Sequence, residues 1–220
     1  MKKITTIIFD FDGVIADTLP FTFKKILEIA KFLKVSNLSE KQIIKEIRSK
    51  NLKELLNSGM NLSWFKLPFV LRMVKKMQVE LGKEIEKIRI FPGMKKLLQD
   101  LKDKDYRLII LSSNIKENID KFVEINKINF FDFIHGKSNV LSKAGELEEL
   151  IKTFKLNRKK IIYIGDEIRD VEACKKAGIK IIAVSWGLHK KEVLKSHGAD
   201  FIAKKPKDIL KLIYETRNSF

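Results

Sequence analysis

Ile4-Thr5-Thr6-Ile7-Ile8-Phe9-Asp10-Phe11-Asp12-Gly13-Val14-Ile15 is the stretch on which the reading of this chain turns. The apolar, β-branched run over 4–9 predicts a buried strand. It delivers two carboxylates, Asp10 and Asp12, at its carboxyl end and just before a glycine. Residues i and i+2 of an extended backbone point the same way, so both acids face one point in space. Like charges this close are costly to hold unless a cation or a reacting group uses them. The carboxyl edge of a parallel sheet is also where open α/β folds bind ligands.

Downstream of Asp17-Thr18 the pattern turns helical. Segments 19–34, 39–50, 52–58 and 67–87 carry apolar residues at helical spacing, as in Ile26, Ile29, Ala30 and Leu33. Asn37-Leu38-Ser39-Glu40 and Asn57-Ser58-Gly59 supply the loop and cap signals between them. From Phe91-Pro92-Gly93 onward, helices alternate with strands expected at 106–111, 130–135, 160–164, 179–184 and 201–203. Repeated αβ units imply a parallel sheet with right-handed crossovers and helices on both faces. The first strand must join that sheet despite the excursion after it. The expected fold class is therefore α/β: a Rossmann-like parallel sheet core, 1–16 and 88–220, interrupted by an α-helical module, 17–87.

Composition narrows the partners. The 220 residues hold 45 Lys and Arg against 28 Asp and Glu, giving a net charge of +17. Nucleic-acid binding is the sharp reading of that charge. Lysines scattered along helical faces, such as Lys24, Lys25, Lys31 and Lys34, favour a solvated surface instead, with no nucleic-acid partner. A positive field still draws in small anionic substrates. No apolar run approaches the roughly 18 residues of a membrane span, and none resembles a signal peptide. The single Cys174 excludes an internal disulfide and fits a reducing cytoplasm.

Three more groups sit at expected strand ends. Ser112-Ser113-Asn114 follows one strand, Gly165-Asp166-Glu167 another with Asp170 opening the next helix, and Lys143 starts a helix between them. Their loops should converge with Asp10 and Asp12 on one sheet edge. The chemistry suggested is phosphoryl transfer. Asp10 and Asp166 are hard oxygen ligands suited to Mg²⁺, and Lys143 with Ser112 can meet phosphoryl oxygens. Asp12 suits a general acid toward the leaving alkoxide, and Asp10 a nucleophile forming an aspartyl-phosphate. Ser113 and Asn114 are read either as phosphate contacts or as loop structure.

Asp10-Phe11-Asp12-Gly13-Val14 with Asp17-Thr18, Ser112, Lys143 and Gly165-Asp166-Glu167-Ile168-Arg169-Asp170 resembles the haloacid dehalogenase superfamily, phosphatase type, with an inserted helical cap. Ala177-Gly178 and Ala183-Val184-Ser185-Trp186-Gly187 are similar to its phosphoglycolate-phosphatase-like branch. The resemblance implies Asp10 as nucleophile and Asp12 as acid/base, with the Asp12 carbonyl, Asp10 and Asp166 on the metal. It implies Ser112 and Lys143 as phosphate binders, and Asp170 as the carboxylate that orients Lys143 or a metal-bound water. The family's Lys-Pro pair is Lys143-Ala144 here, with Lys137 as the alternative lysine.

Asp12 argues for phosphate esters, since a halide leaving group needs no proton. A small phosphorylated metabolite is the expected substrate, acted on by a monomer or homodimer; a β-phosphoglucomutase-type mutase and a non-catalytic basic binding module are the competing readings. Arg48, ahead of Lys50 and Lys53, is the candidate in the cap for gripping a second anionic group. His135, His189 and His197 lack metal-ligand spacing and read as surface or packing residues. Trp64, Phe65 and Phe69 read as cap core, and Trp186 as packing at the rim of the site.

Overall fold

The computed structural model describes residues 5–33, 35, 38–57, 66–137 and 143–216. Six strands form one parallel sheet: β1 (Thr6–Phe9), β2 (Arg107–Ser112), β3 (Phe133–Gly136), β4 (Ile161–Gly165), β5 (Lys180–Val184) and β6 (Phe201–Ala203). They lie in the order β3-β2-β1-β4-β5-β6, so the first strand sits at the centre. Thr6 stands opposite Arg107 on one side and Ile161 on the other.

Pleating sorts each strand's apolar residues onto two faces. Ile7 and Phe9 of β1, Leu108 and Ile110 of β2, and Ile162 and Ile164 of β4 enter one core. That core is closed by α5 (Met94–Lys102), α6 (Lys116–Ile125) and α10 (Pro206–Thr216) through residues such as Leu98, Phe122 and Ile213. Ile8, Ile109, Leu111 and Tyr163 point the other way, onto α7 (Lys143–Thr153), α8 (Ile168–Ala177) and α9 (Lys191–Ser196). Cys174 is buried in this second core as a packing residue. Truncating a fully buried side chain leaves a cavity, so Leu98→Ala is expected to cost about 2–5 kcal/mol in urea unfolding with an unchanged m-value.

Between β1 and α5 the chain makes α1 (Leu19–Phe32), α2 (Glu40–Ile47), α3 (Leu52–Asn57) and α4 (Leu67–Glu84). Pro20 and Pro68 open α1 and α4, where a missing N–H costs nothing. Ser39 caps α2 through a reciprocal bond with Gln42. Ala30, Leu33, Val35 and Ile43 form a small core of this insertion, with Phe69 packed against it. Trp64 and Phe65 lie outside the described residues. The two chain crossings to the main core run side by side, tied by Asp17 N to Arg89 O at 2.8 Å and Phe91 N to Ile15 O at 3.1 Å.

β3 begins three residues later than its sequence suggests, where β2, β4 and β5 differ by one. β3 starts at Phe133 rather than at position 130 because Asp132 caps the strand edge. Its N–H donates to Leu108 O at 2.8 Å, and its carboxylate accepts from Leu108 N at 2.8 Å. Phe130 and Phe131 pack against the core instead of pairing.

Candidate active site

The carboxyl ends of β1, β2 and β4 gather the site. Asp10 follows β1, Ser112 ends β2, Asp166 follows β4, and Lys143 is the first residue of α7. Lys143 is 4% exposed. Its ammonium lies 2.8 Å from Asp10 Oδ2 and 3.3 Å from Asp170 Oδ1, and it donates to Leu111 O at 3.0 Å. Two carboxylates and one carbonyl therefore surround the ammonium. The Tyr163 ring lies 5.6 Å below the ammonium, and its hydroxyl is 3.3 Å from both Leu111 O and Asp170 Oδ1. These contacts hold the lysine without a following proline. Lys137 is exposed and faces Glu149 at 3.6 Å, away from the aspartates.

Asp12 is partly buried and turned toward the β2 loop. Asn114 Nδ2 donates to its two oxygens at 3.2 and 3.1 Å. Asn114 also accepts from Ile115 N and from Asn118 Nδ2, and its N–H donates to Ser112 Oγ at 3.1 Å. Asn114 thus does structural work in the loop as well as touching Asp12. Ser113 Oγ accepts from Arg169 at 3.0 Å, and its carbonyl accepts from Gln78 of α4 at 2.6 Å.

Asp166 is 1% exposed and enclosed by glycines. A Cβ at Gly13 or Gly187 would overlap its side chain, and Gly13 adopts φ +71°. Asp166 Oδ2 accepts from Leu188 N at 2.7 Å, whereas the buried Oδ1 has no hydrogen-bond partner. Carboxylate oxygens of Asp10, Asp166 and Glu167 lie within 4.8 Å of one another. An orphaned buried oxygen among hard anionic donors fits a divalent cation such as Mg²⁺. Asp170 turns back to accept from Asp166 N and Glu167 N, at 3.2 and 3.1 Å, which fixes the loop.

Several of these residues escaped the sequence reading. Glu167 and Arg169 form a close pair, Nε to Oε2 at 2.6 Å, that ties the β4 loop to Ser113. His189 is 3% exposed, which fits the packing reading and not the surface one. Trp186 packs on Phe91, as expected of a rim residue, and its indole N–H donates to Val14 O at 3.3 Å. Arg48 follows α2 and reaches the loop that packs on Asp166. Its guanidinium donates to Gly187 O at 3.2 Å and lies over the Phe23 ring.

Burial pushes the Asp10 carboxyl up to about 7, with Lys143 pulling against it. Burial also raises Asp12, opposed by hydrogen bonds, and lifts Asp166 well above the usual carboxylate range. Burial lowers Lys143, but the Asp10 and Asp170 charges outweigh it and the net shift is upward. A carboxyl whose folded pKa exceeds its ordinary 3.8 binds protons that the unfolded chain does not, so it weakens stability as pH rises toward 7. A divalent cation on the same oxygens removes that loss. The rise in melting temperature on adding Mg²⁺ is therefore expected to be small near about pH 5.5 and large near about pH 8.

The family model described as haloacid dehalogenase-like hydrolase matches residues 7–184. The chain is similar to a phosphoglycolate phosphatase of Synechococcus elongatus, 28% identical over 208 residues, covering 94% of this chain and 96% of that protein. It is 21% identical to the pyrophosphatase PpaX of Bacillus mycoides over 96% of this chain and 97% of that one. A haloacid dehalogenase-like family hydrolase from Streptococcus pneumoniae superposes with a TM-score of 0.76 at 25% identity, over 96% of this chain and 99% of that one.

Proposed function

The chain belongs to the haloacid dehalogenase-like hydrolases, and from that footing we propose a Mg²⁺-dependent phosphatase acting on a small phosphate monoester, phosphoglycolate-like or a sugar phosphate. The observation that carries this reading is Asp10, held 2.8 Å from the buried Lys143 and two residues from a second acid, Asp12, whose carboxyl burial shifts upward. In this reading 17–87 is a cap over a core of 1–16 and 88–220. Among the described residues, no helix is long and apolar enough to cross a membrane.

A carboxylate of Asp10 attacks phosphorus and the ester P–O bond breaks. The leaving alkoxide takes the Asp12 proton, which leaves phosphate on Asp10. Water then gives a proton to Asp12 and attacks the phosphorus, so that Asp10 and inorganic phosphate are released. Lys143 and Ser112, with Ser113 and Asn114 in the same loop, meet the phosphoryl oxygens. Asp10, Asp166 and the Asp12 carbonyl would hold the cation, which would supply neutralisation of the phosphate charge. Asp170 orients Lys143. Arg48 is the cap residue placed to meet a second anionic group if it leaves the Gly187 carbonyl.

The reading is tested by incubating the protein with Mg²⁺ and phosphoglycolate, pyrophosphate or hexose phosphates. Release of inorganic phosphate is expected; an isomerised sugar phosphate without release would make it a mutase. Asp12→Asn sharpens the result. With an alkyl phosphate the loss of kcat should reach about 10²–10⁴-fold, whereas p-nitrophenyl phosphate, whose leaving group needs no proton, should still give a burst of p-nitrophenol before the slow second step, in which water has lost its base.

A further inference from the structure

The loop after β5 touches both the helical insertion and Asp166. On the insertion side, Arg48 donates to Gly187 O at 3.2 Å, and Lys190 N donates to Arg48 O at 3.3 Å. The His189 Nε2 atom lies 3.2 Å from Lys50 O. On the site side, Leu188 N donates to Asp166 Oδ2 at 2.7 Å, and His189 N donates to Asp166 O at 3.2 Å. Gly187 packs so closely on Asp166 that no Cβ fits between them. Four consecutive residues thus hold one carboxylate and one edge of the insertion.

His189 makes the connection directional. Its Nδ1 accepts from Ile168 N at 3.3 Å, in the first turn of the helix that follows Asp166. An accepting Nδ1 carries no proton, so the neutral ring bears its hydrogen on Nε2, aimed at the Lys50 carbonyl. One buried ring therefore spans from the Asp166 loop to the backbone of the insertion.

We propose that the Gly187–Lys190 loop is a clasp through which the seating of the insertion sets the Asp166 carboxylate, with Arg48 and His189 as positioning residues. With the insertion seated, the Gly187 carbonyl, the Lys190 amide and the His189 ring are anchored, and the Leu188 N–H is held on Asp166 Oδ2. With the insertion unseated, those anchors are lost and the oxygen loses its fixed donor. Coupling of this kind is reciprocal, so a filled cation site also favours the seated insertion. The inference rests on the reading of Asp166 as a cation ligand.

The test uses the full chain without substrate. Arg48→Ala removes one anchor. His189→Asn keeps an acceptor at the Nδ1 position for Ile168 but is too short to reach Lys50. Mg²⁺ affinity by calorimetry is expected to fall about tenfold in each variant, as is usual when a partner that orients a ligand is lost. Amide exchange at Leu188 should quicken in parallel. An unchanged Mg²⁺ constant and unchanged Leu188 exchange in the double variant would overturn the clasp. If the wild-type chain bound no Mg²⁺, the cation reading of Asp166 would fall, and Leu188 exchange alone would decide the clasp.

Discussion

Asp10→Asn is expected to abolish turnover, by about 10⁴-fold or more, while the protein keeps its fold. The amide is isosteric, but its nitrogen is a poor nucleophile and it carries no charge for Lys143 to pair with. The wild-type carboxylate is held ionised against burial, which pushes it up to about 7. Replacing it by a neutral amide relieves that cost at alkaline pH, where the carboxylate is charged. The metal-free variant should therefore melt no lower than the wild type at about pH 8, and equal to or above it. Mass spectrometry of protein mixed with substrate should find a phosphorylated wild-type species and none in the variant. Retained turnover would place the nucleophile elsewhere.

Lys143→Met should lower stability and activity together. The ammonium sits between the Asp10 and Asp170 carboxylates and donates to the Leu111 carbonyl, all in the interior. Removing one partner of a buried ion pair leaves an uncompensated charge and costs about 3–5 kcal/mol. The cost has a pH signature. Without the lysine the Asp10 carboxyl moves further above its present value of about 7, so the folded variant takes up a proton that the unfolded chain does not hold. Stability then falls as pH rises, and chemical denaturation should show the largest deficit on the alkaline side. Activity should fall with it, because a protonated Asp10 cannot attack. A deficit independent of pH would mean that Lys143 matters for packing and not for charge.

The parts of the site legible in sequence are those that strand periodicity and topology decide. Asp10, Ser112 and Asp166 end or follow apolar strands, and one parallel sheet brings such ends to a single edge. Lys143 was legible as a charge at a helix start and preferred there to Lys137, but its packing against Tyr163 and Leu111 was not. His189 was not legible. Its position depends on the Lys50 carbonyl, far away in the chain, and a backbone acceptor leaves no pattern in side-chain types. The Glu167–Arg169 pair had a signal, opposite charges two residues apart beside Asp166, but spacing could not place the guanidinium on Ser113. The late start of β3 had none, because Asp132 substitutes for backbone pairing through its side chain.

The central place of β1 has a consequence for how the chain comes into being. Its neighbours start at Arg107 and Ile161, so as synthesis proceeds the strand bearing Asp10 waits about 100 residues for its first partner and keeps one edge open until the second has emerged. The four helices that follow can form from local contacts meanwhile. Pairings so distant in sequence close slowly, and an apolar run of Ile7, Ile8 and Phe9 left open is a template for pairing with other chains. Refolding yield should therefore depend steeply on protein concentration, because the strand that leads to Asp10 is the first made and must find both its partners far along the chain.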